Sequence, residues 1–529
     1  MGIGIIIVAT VIFLCILADK FSGKFGMPAL LLFMFIGMLF GSDGILKIPF
    51  DDFKAAERIC SFALLFIMFY GGFNTKWKLA KSVAVKSILL STAGVAVTAG
   101  ITAVLCHLFL HFSIAESFLV GAVLSSTDAA SVFSILRKKK LNLKDGTASL
   151  LEIESGSNDP VSYMLTSIGI GLVGSGGSEN VALQIFTQVV FGILVGVGFA
   201  FLVIWILTKT SVIAEGLDTI FMISAVLFCF GIADMLNGNV YLSVYLMGII
   251  IGNSKIKNKN ILVPFFDGIT SLAQILLFFL LGLLAFPHKI PSVIVPSIAI
   301  VIFLTLIARP VAVFGILLPF RCSVRQCLLV SWAGLRGAAS IVFAIMVVAG
   351  KADISYDLYH IVFLAALFSV AIQGTLLPFV AKKTGMVDES DDVRKTFNDY
   401  QEESAITMMR MYIPKGHNWE NRKVKDVSMP TGSLALMIKR GEETMIPKGD
   451  TQILAGDNII LSVPAYEPSD NEDLEEIVID KEHEWCNKPI EALELSDDEL
   501  IAMIIRGEEN LIPDGKTMIY EGDIVVTYR

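Results

Sequence analysis

Charge is scarce in this chain. Asp, Glu, Lys and Arg make up 17% of its 529 residues, while hydrophobic residues reach 54% and mean hydropathy is +0.71. Soluble domains carry about 25% charged residues, so a single soluble globular domain and a disordered chain are both excluded. Histidine is also sparse: six residues, scattered, with no HExxH, GxSxG or P-loop run. An enzyme is therefore not expected, and no cofactor is implied. No strand followed by GxGxxG is visible, and no TVGYG-like filter run is present, which counts against a ligand-gated cation channel, the main rival reading. The seven cysteines are odd in number and form no CxxC pair, so neither a disulfide framework nor a structural zinc site is indicated. Nothing points to nucleic acid.

The charge that is present is unevenly divided. Residues 1–384 hold 26 Lys and Arg against 18 Asp and Glu; residues 385–529 hold 15 against 32. An apolar, mildly basic body thus precedes an acidic tail. Apolar runs of helix length recur in the body near 3–18, 27–41, 55–73, 83–110, 114–136, 147–174, 181–207, 217–235, 240–252, 266–286, 291–318, 325–349 and 355–381. The fold expected is an α-helical polytopic membrane protein of about thirteen transmembrane helices. The first run lacks a basic leader and reads as an uncleaved membrane helix. Alternate loops hold 19 Lys and Arg, and the other set holds 5. That bias places the N-terminus outside and the tail in the cytoplasm, in a plasma membrane.

Arg309 and Arg336 fall inside apolar runs, as do Asp128, Glu154, Asp159 and, near their edges, Glu152, Asp234 and Asp267. A charge at mid-bilayer costs about 2.5–3.5 kcal/mol on insertion scales, so such residues face the bundle interior, pair or line an ion path. They cluster with helix-breaking residues. Ser125-Ser126-Thr127-Asp128 is three competitors for backbone hydrogen bonds plus an acid, which predicts a locally unwound helix whose carbonyls can meet a cation. In Glu154-Ser155-Gly156-Ser157-Asn158-Asp159-Pro160, Ser155 and Asp159 share one helix face and Glu154 and Asn158 another. Pro160 removes a donor and frees the carbonyl of Gly156. Carboxylate, amide and hydroxyl oxygens make a hard site suited to an alkali cation. Gly334-Leu335-Arg336-Gly337 supplies a cation, and Arg336 is the expected structural ion-pair partner of Glu154.

Thr127-Asp128, Asn158-Asp159 and Gly-Leu-Arg336-Gly, in this order and in these helices, resemble the NhaP-type branch of the monovalent cation:proton antiporter-1 family. The resemblance implies inverted repeats, two discontinuous helices crossing at the site, and a homodimer exchanging K⁺ or Na⁺ for H⁺. It implies that Asp159 carries proton and cation by turns. Asn158 and Glu154 would support it, Ser155 and the main chain of Thr127 would offer oxygens, and Asp128 would sit at the crossing. One departure is Tyr70 in Phe69-Tyr70-Gly71-Gly72, where many relatives hold an acid. With Asn158 neutral, the expected exchange is one charge for one, electroneutrally.

The tail repeats itself. Lys439-Arg-Gly-Glu-Glu-Thr-Met-Ile-Pro-Lys-Gly matches Ile505-Arg-Gly-Glu-Glu-Asn-Leu-Ile-Pro-Asp-Gly, and Trp419 and Trp485 keep the same offset of 66. That spacing fits two tandem α+β modules, 406–466 and 467–529, after a charged linker, 385–405, that follows a membrane domain spanning 1–384. Each module resembles the TrkA-C ligand-binding unit of potassium-conductance regulators. The resemblance implies a small anionic effector, such as cyclic di-AMP, held by basic residues; Arg410, Lys439, Arg440 and Arg506 are the candidates.

Overall fold

In a bilayer, backbone N–H and C=O groups can bond only one another, so long apolar runs fold as helices. The computed structural model describes residues 2–388 apart from 26–27, 140, 175–179, 211–212, 215, 257–258, 351 and 353. It also describes 406–528 apart from 428, 430–432, 442, 465–473, 480–482, 484, 494–499, 507–508 and 512. Helix falls in every apolar run. In chain order these are α1 (Gly2–Phe25), α2 (Ala29–Phe40), α3 (Phe53–Asn74), the single turn α4 (Trp77–Ala80), α5 (Ala84–Leu89), α6 (Val95–Leu110), α7 (Ile114–Val123), α8 (Ala129–Lys138), α9 (Thr147–Gly174) and α10 (Val181–Lys209). There follow α11 (Asp218–Met235), α12 (Val240–Gly252), α13 (Lys259–Leu283), α14 (Ile290–Phe303), α15 (Arg309–Leu317), α16 (Val324–Trp332), α17 (Ala338–Ala349), α18 (Leu358–Phe368) and α19 (Thr375–Lys383). Among the described residues eight helical stretches are long and apolar enough to cross a membrane, and α2, α7, α12 and α17 are apolar but shorter. Large apolar side chains stand exposed along α1 (Ile5, Ile6, Phe13) and α10 (Phe186, Leu194, Phe201), as a lipid-facing surface requires.

Three joints are π-helical turns: Leu90–Gly94 links α5 to α6, Leu304–Ala308 links α14 to α15, and Ser369–Gly374 links α18 to α19. Two runs are broken outright, α7/α8 at residues 124–128 and α16/α17 at 333–337. A π-interrupted helix followed by a broken one therefore occurs twice along the chain. The short α12 is clamped to α3 by bare glycines. A Cβ on Gly248 would run into the carbonyl of Phe69, and one on Gly72 into the carbonyl of Tyr245. Aromatic rings seal the neighbouring seam between α3 and α13, with Phe69 and Phe266 edge to face at 5.0 Å.

Contacts divide the chain into two units, Met1–Tyr400 and Gln401–Arg529. The membrane unit runs past the expected end at 384. Strand β1 (Asn142–Leu143) pairs antiparallel with β2 (Val387–Asp388), which satisfies backbone groups that a flexible linker would have left to water. The rest of the linker, 389–405, lies outside the described residues.

The tail unit holds two four-stranded sheets that share no strand. In the first, β3 (Ile406–Tyr412), β4 (Leu434–Arg440), β5 (Glu443–Met445) and β6 (Asn458–Pro464) order as 3-6-4-5. In the second, β7 (Leu474–Val478), β8 (Leu500–Arg506), β9 (Glu509–Leu511) and β10 (Ile524–Tyr528) order as 7-10-8-9. Alternating apolar residues give each sheet its own core, around Ile438, Ile459 and Leu461 in one and Ile504, Ile519 and Val525 in the other. The helical part expected of an α+β tail is confined, among the described residues, to 3₁₀ turns at Val424–Asp426 and Ile490–Ala492.

The repeated Arg-Gly and Gly-Asp signatures form one clamp per module. Arg440 reaches buried Asp457 through two hydrogen bonds of 2.8 and 2.7 Å, and Arg506 reaches buried Asp523 through two of the same lengths. Each Asp also accepts a backbone N–H, from Leu454 and from Tyr520, and each follows a glycine at positive φ, Gly456 (+89°) and Gly522 (+86°). The guanidinium hydrogen bonds hold both carboxyls below the usual carboxylate range. A depressed folded-state value stabilises above the unfolded value of about 3.9 and is lost as pH falls through the folded one. The modules are therefore expected to loosen below about pH 4. Asp457→Ala should cost about 2 kcal/mol at neutral pH and raise hydrogen exchange across 406–464 while sparing 474–528. Uniform loosening of both modules would argue against independent clamps.

Candidate functional site

The two breaks meet. The N–H of Asp128 donates to the carbonyl of Leu335 at 2.8 Å. The Asp128 carboxylate caps α8 by accepting from the backbone N–H and the hydroxyl of Ser131. A Cβ on Gly337, the N-cap residue just before α17, would strike the same carboxylate. Asp128 thus stands at two helix N-termini, whose partial positive charge favours an anion. Arg336 answers it at the opposite pole. Its Nη1 donates to the carbonyls of Ser125 (3.1 Å) and Ser126 (2.8 Å), buried acceptors that follow the end of α7. Its own N–H donates to the hydroxyl of Ser369, which donates to Gln373, whose Nε2 donates to Thr305 at 2.8 Å. Ser369 and Gln373 sit in one π turn and Thr305 in another, so two of these wide turns brace the crossing.

Helix α9 faces this crossing. Pro160 lies inside it without ending it, and the Pro160 carbonyl accepts from Asn239 Nδ2 at 2.7 Å. Glu154 does not take Arg336 as its ion-pair partner, contrary to the expectation from sequence. Arg309 takes the Glu154 carboxylate in a two-pronged grip, Nη1 to Oε1 and Nη2 to Oε2, both at 3.0 Å and both side chains 1% exposed. The reason is space. Gly334 has no side chain, and a Cβ there would lie 2.8 Å from Arg309 Nε, so the guanidinium lies over the bare turn, and Arg336 is left to the carbonyls. Glu154 also accepts from Asn158 Nδ2 (3.2 Å) and the Thr127 hydroxyl (3.3 Å), while Asn158 Nδ2 donates to Thr127 Oγ1. The Thr127 carbonyl is occupied by the Ser155 hydroxyl at 2.7 Å.

Asp159 differs from its neighbours. It is buried, accepts from the Ser126 hydroxyl, and has no ion-pair partner among the described residues. It lines a cavity of about 140 Å³ together with Ser155, Asp128, Glu152, Tyr245 and Gln274. Asn158 Oδ1 nearby is buried without a hydrogen-bond partner. Hydroxyl, carbonyl, amide and carboxylate oxygens around one uncompensated acid can hold a proton or a monovalent cation.

The structure therefore brings Asp159, Asn158, Ser155, Thr127, Asp128, Glu154 and Arg336 together. It does not gather the four tail cations. Arg440 and Arg506 are held in the clamps described above, Arg410 Nε donates to Asn458 at 2.9 Å, and Lys439 is exposed on β4. Sequence reasoning missed the parts played by Arg309 and Ser126. The signal for Arg309 was its place inside an apolar run; nothing in the sequence said which of two buried arginines faced Glu154. Tyr70, in place of an acid, donates to Asp267 Oδ1 on α13 at 3.1 Å, so a carboxylate reaches that position from another helix.

A helical membrane protein with two broken helices crossing beside a buried, unpaired aspartate is built as an ion exchanger, and the chain belongs to the sodium/hydrogen exchanger family, whose transmembrane model matches residues 8–383. The TrkA-C domain model matches 408–465 and again 474–526. Among its relatives are the K⁺/H⁺ antiporter NhaP2 of Shewanella oneidensis, 32% identical over 86% of this chain and 79% of the relative, and the K⁺/H⁺ antiporter NhaP of Alkalimonas amylolytica, 34% identical over 72% and 66%. The fold is that of the sodium proton antiporter MjNhaP1 from Methanocaldococcus jannaschii, with a TM-score of 0.64 at 22% identity over 72% of this chain and 99% of that one.

Proposed function

We propose that the protein exchanges a monovalent cation, K⁺ in preference to Na⁺, for H⁺ by competition at Asp159. The observation that carries this reading is the balance of charge at the site. Glu154 is matched by Arg309, and Asp128 lies at two helix N-termini; Asp159 alone among these three lacks a fixed counter-charge. A buried carboxylate is unfavourable as a bare anion, so either a proton or a cation neutralises it. Alternating access to the two sides then couples the two fluxes. The preference for K⁺ draws on the relatives named as K⁺/H⁺ antiporters.

Because Asn158 is neutral, one proton is exchanged for one cation. The lysine- and arginine-rich loops support a cytoplasmic tail and an external N-terminus. The tail modules serve as a sensor for a small anionic effector such as cyclic di-AMP, with Arg410 and Lys439 the cations open to it, and the working unit is a homodimer. The channel reading is not favoured, since an exchanger family accounts for the crossing and the acid together.

The test is proteoliposome exchange under an imposed pH gradient. K⁺ should dissipate the gradient at lower concentration than Na⁺, and an imposed membrane potential should leave the rate unchanged. A rate that follows the potential would overturn the one-for-one stoichiometry.

A further inference from the structure

The cavity holds a feature that the exchange reading at Asp159 does not use. Along α9, Glu152, Ser155, Gly156 and Asp159 fall at i, i+3, i+4 and i+7, and all four line the cavity. At 1.5 Å per residue, Glu152 lies about 10 Å from Asp159 along the helix axis. Gly156 sits between them, about 6 Å beyond Glu152 and about 4.5 Å before Asp159. The phenol of Tyr245, from α12, packs on that glycine: a Cβ at 156 would meet Tyr245 Oη at 2.8 Å. Tyr245 is 3% exposed, and its buried hydroxyl has no hydrogen-bond partner. The side chains of Ser157 and Thr75 lie close to the Tyr245 hydroxyl and act on it, though not at the distance and angle of a full hydrogen bond.

An unsatisfied buried hydroxyl costs about 1–3 kcal/mol, and phenylalanine would remove that cost. Its position is also fixed. The Tyr245 carbonyl lies against bare Gly72 and Gly248 lies against the Phe69 carbonyl, so α12 holds the ring at one height over α9.

We infer that Tyr245 is a cation ligand in transit: its hydroxyl oxygen receives a dehydrating monovalent cation from Glu152 and passes it to Asp159. A cation moving from Glu152 to Asp159, two turns along α9, loses water on the way. A neutral oxygen midway replaces part of that hydration without binding so tightly that the ion stays. Tyr245 thus sets how readily K⁺ reaches the exchange site, and Glu152 gathers the ion at the near end. This inference rests on the exchange reading at Asp159.

The test uses the full chain in proteoliposomes with K⁺ as the probe. Tyr245→Phe deletes one oxygen and keeps the ring. The expected result is an apparent KM for K⁺ raised about tenfold, with a melting temperature in detergent equal to or above that of the wild type. Glu152→Gln should raise the same KM, and Glu152→Asp should restore it in part. A Tyr245→Phe protein whose KM stays within about twofold of the wild type overturns the inference. So does a lowered melting temperature with KM unmoved, which is the result of a purely structural role. Wild type and Asp159→Asn are run in parallel. If the wild type exchanges K⁺ and Asp159→Asn does not, an unmoved KM in Tyr245→Phe defeats this inference alone; if the wild type does not exchange K⁺, the underlying reading fails first.

Discussion

Replacing Asp159 by Asn is expected to reduce cation-dependent dissipation of a pH gradient to that of protein-free vesicles. The change is nearly isosteric and keeps an acceptor for the Ser126 hydroxyl, so the crossing should remain assembled. What is removed is the ability to carry a proton and to attract a cation. Since Glu154 is committed to Arg309 and Asp128 caps α8, neither is placed to take over. The effect should appear in turnover at saturating cation, not only in apparent affinity, and raising K⁺ should not rescue it. Folding, followed by thermal unfolding in detergent, should be little changed. An Asp159→Asn protein that still exchanges K⁺ for H⁺ at the wild-type rate would require another carrier and would end the proposal.

The second large effect is on stability. Arg309→Ala leaves the Glu154 carboxylate buried with, among the described residues, only Thr127 and Asn158 as donors. Breaking a buried ion pair by removing one partner costs about 3–5 kcal/mol. The expected result is a protein that melts far below the wild type or fails to accumulate. Adding Glu154→Gln to Arg309→Ala should return part of the loss, because the stranded charge is gone. Arg336→Ala should behave differently: it bares the carbonyls of Ser125 and Ser126 but leaves the Glu154–Arg309 grip intact. If Arg309→Ala melted with the wild type while Arg336→Ala collapsed, the assignment of partners would be reversed.

That reversal is the pairing the sequence alone suggests, and its failure shows where one-dimensional reading stops. Two arginines lie in apolar runs, and both end up beside the crossing. The one in the glycine-flanked motif looked like the partner of Glu154. Its glycines serve other side chains instead: Gly334 makes room for Arg309 and Gly337 for Asp128. Glycine records that something comes close and does not say what. By contrast, the break at Ser125–Thr127 was legible, because competition with helical hydrogen bonds is a local property. The sharing of helix faces by Ser155 with Asp159 and by Glu154 with Asn158 was legible for the same reason, since it follows from 3.6-residue periodicity. The tail duplication is plain in the spacing of Arg-Gly and Gly-Asp, yet the sequence does not show that the same arginines are committed to clamps, because a clamp to Asp457 or Asp523 depends on strand pairing between β4 and β6 or β8 and β10. The β1–β2 ribbon joins residues more than two hundred positions apart and leaves no mark in composition.

The π turn at Leu304–Ala308 ends where Arg309 begins. A π turn carries one residue more than the α-helical turn it replaces, and each residue rotates a helix by about 100°. Losing that extra position inside the turn would let it relax to regular winding with both flanking segments still in line, whereas losing one from the regular helix beside it would turn Arg309 about 100° around the cylinder, away from Glu154. Homologues should therefore differ in length at this turn more readily than in the regular winding on either side, and a gap that falls outside the turn marks where the family's architecture gives way.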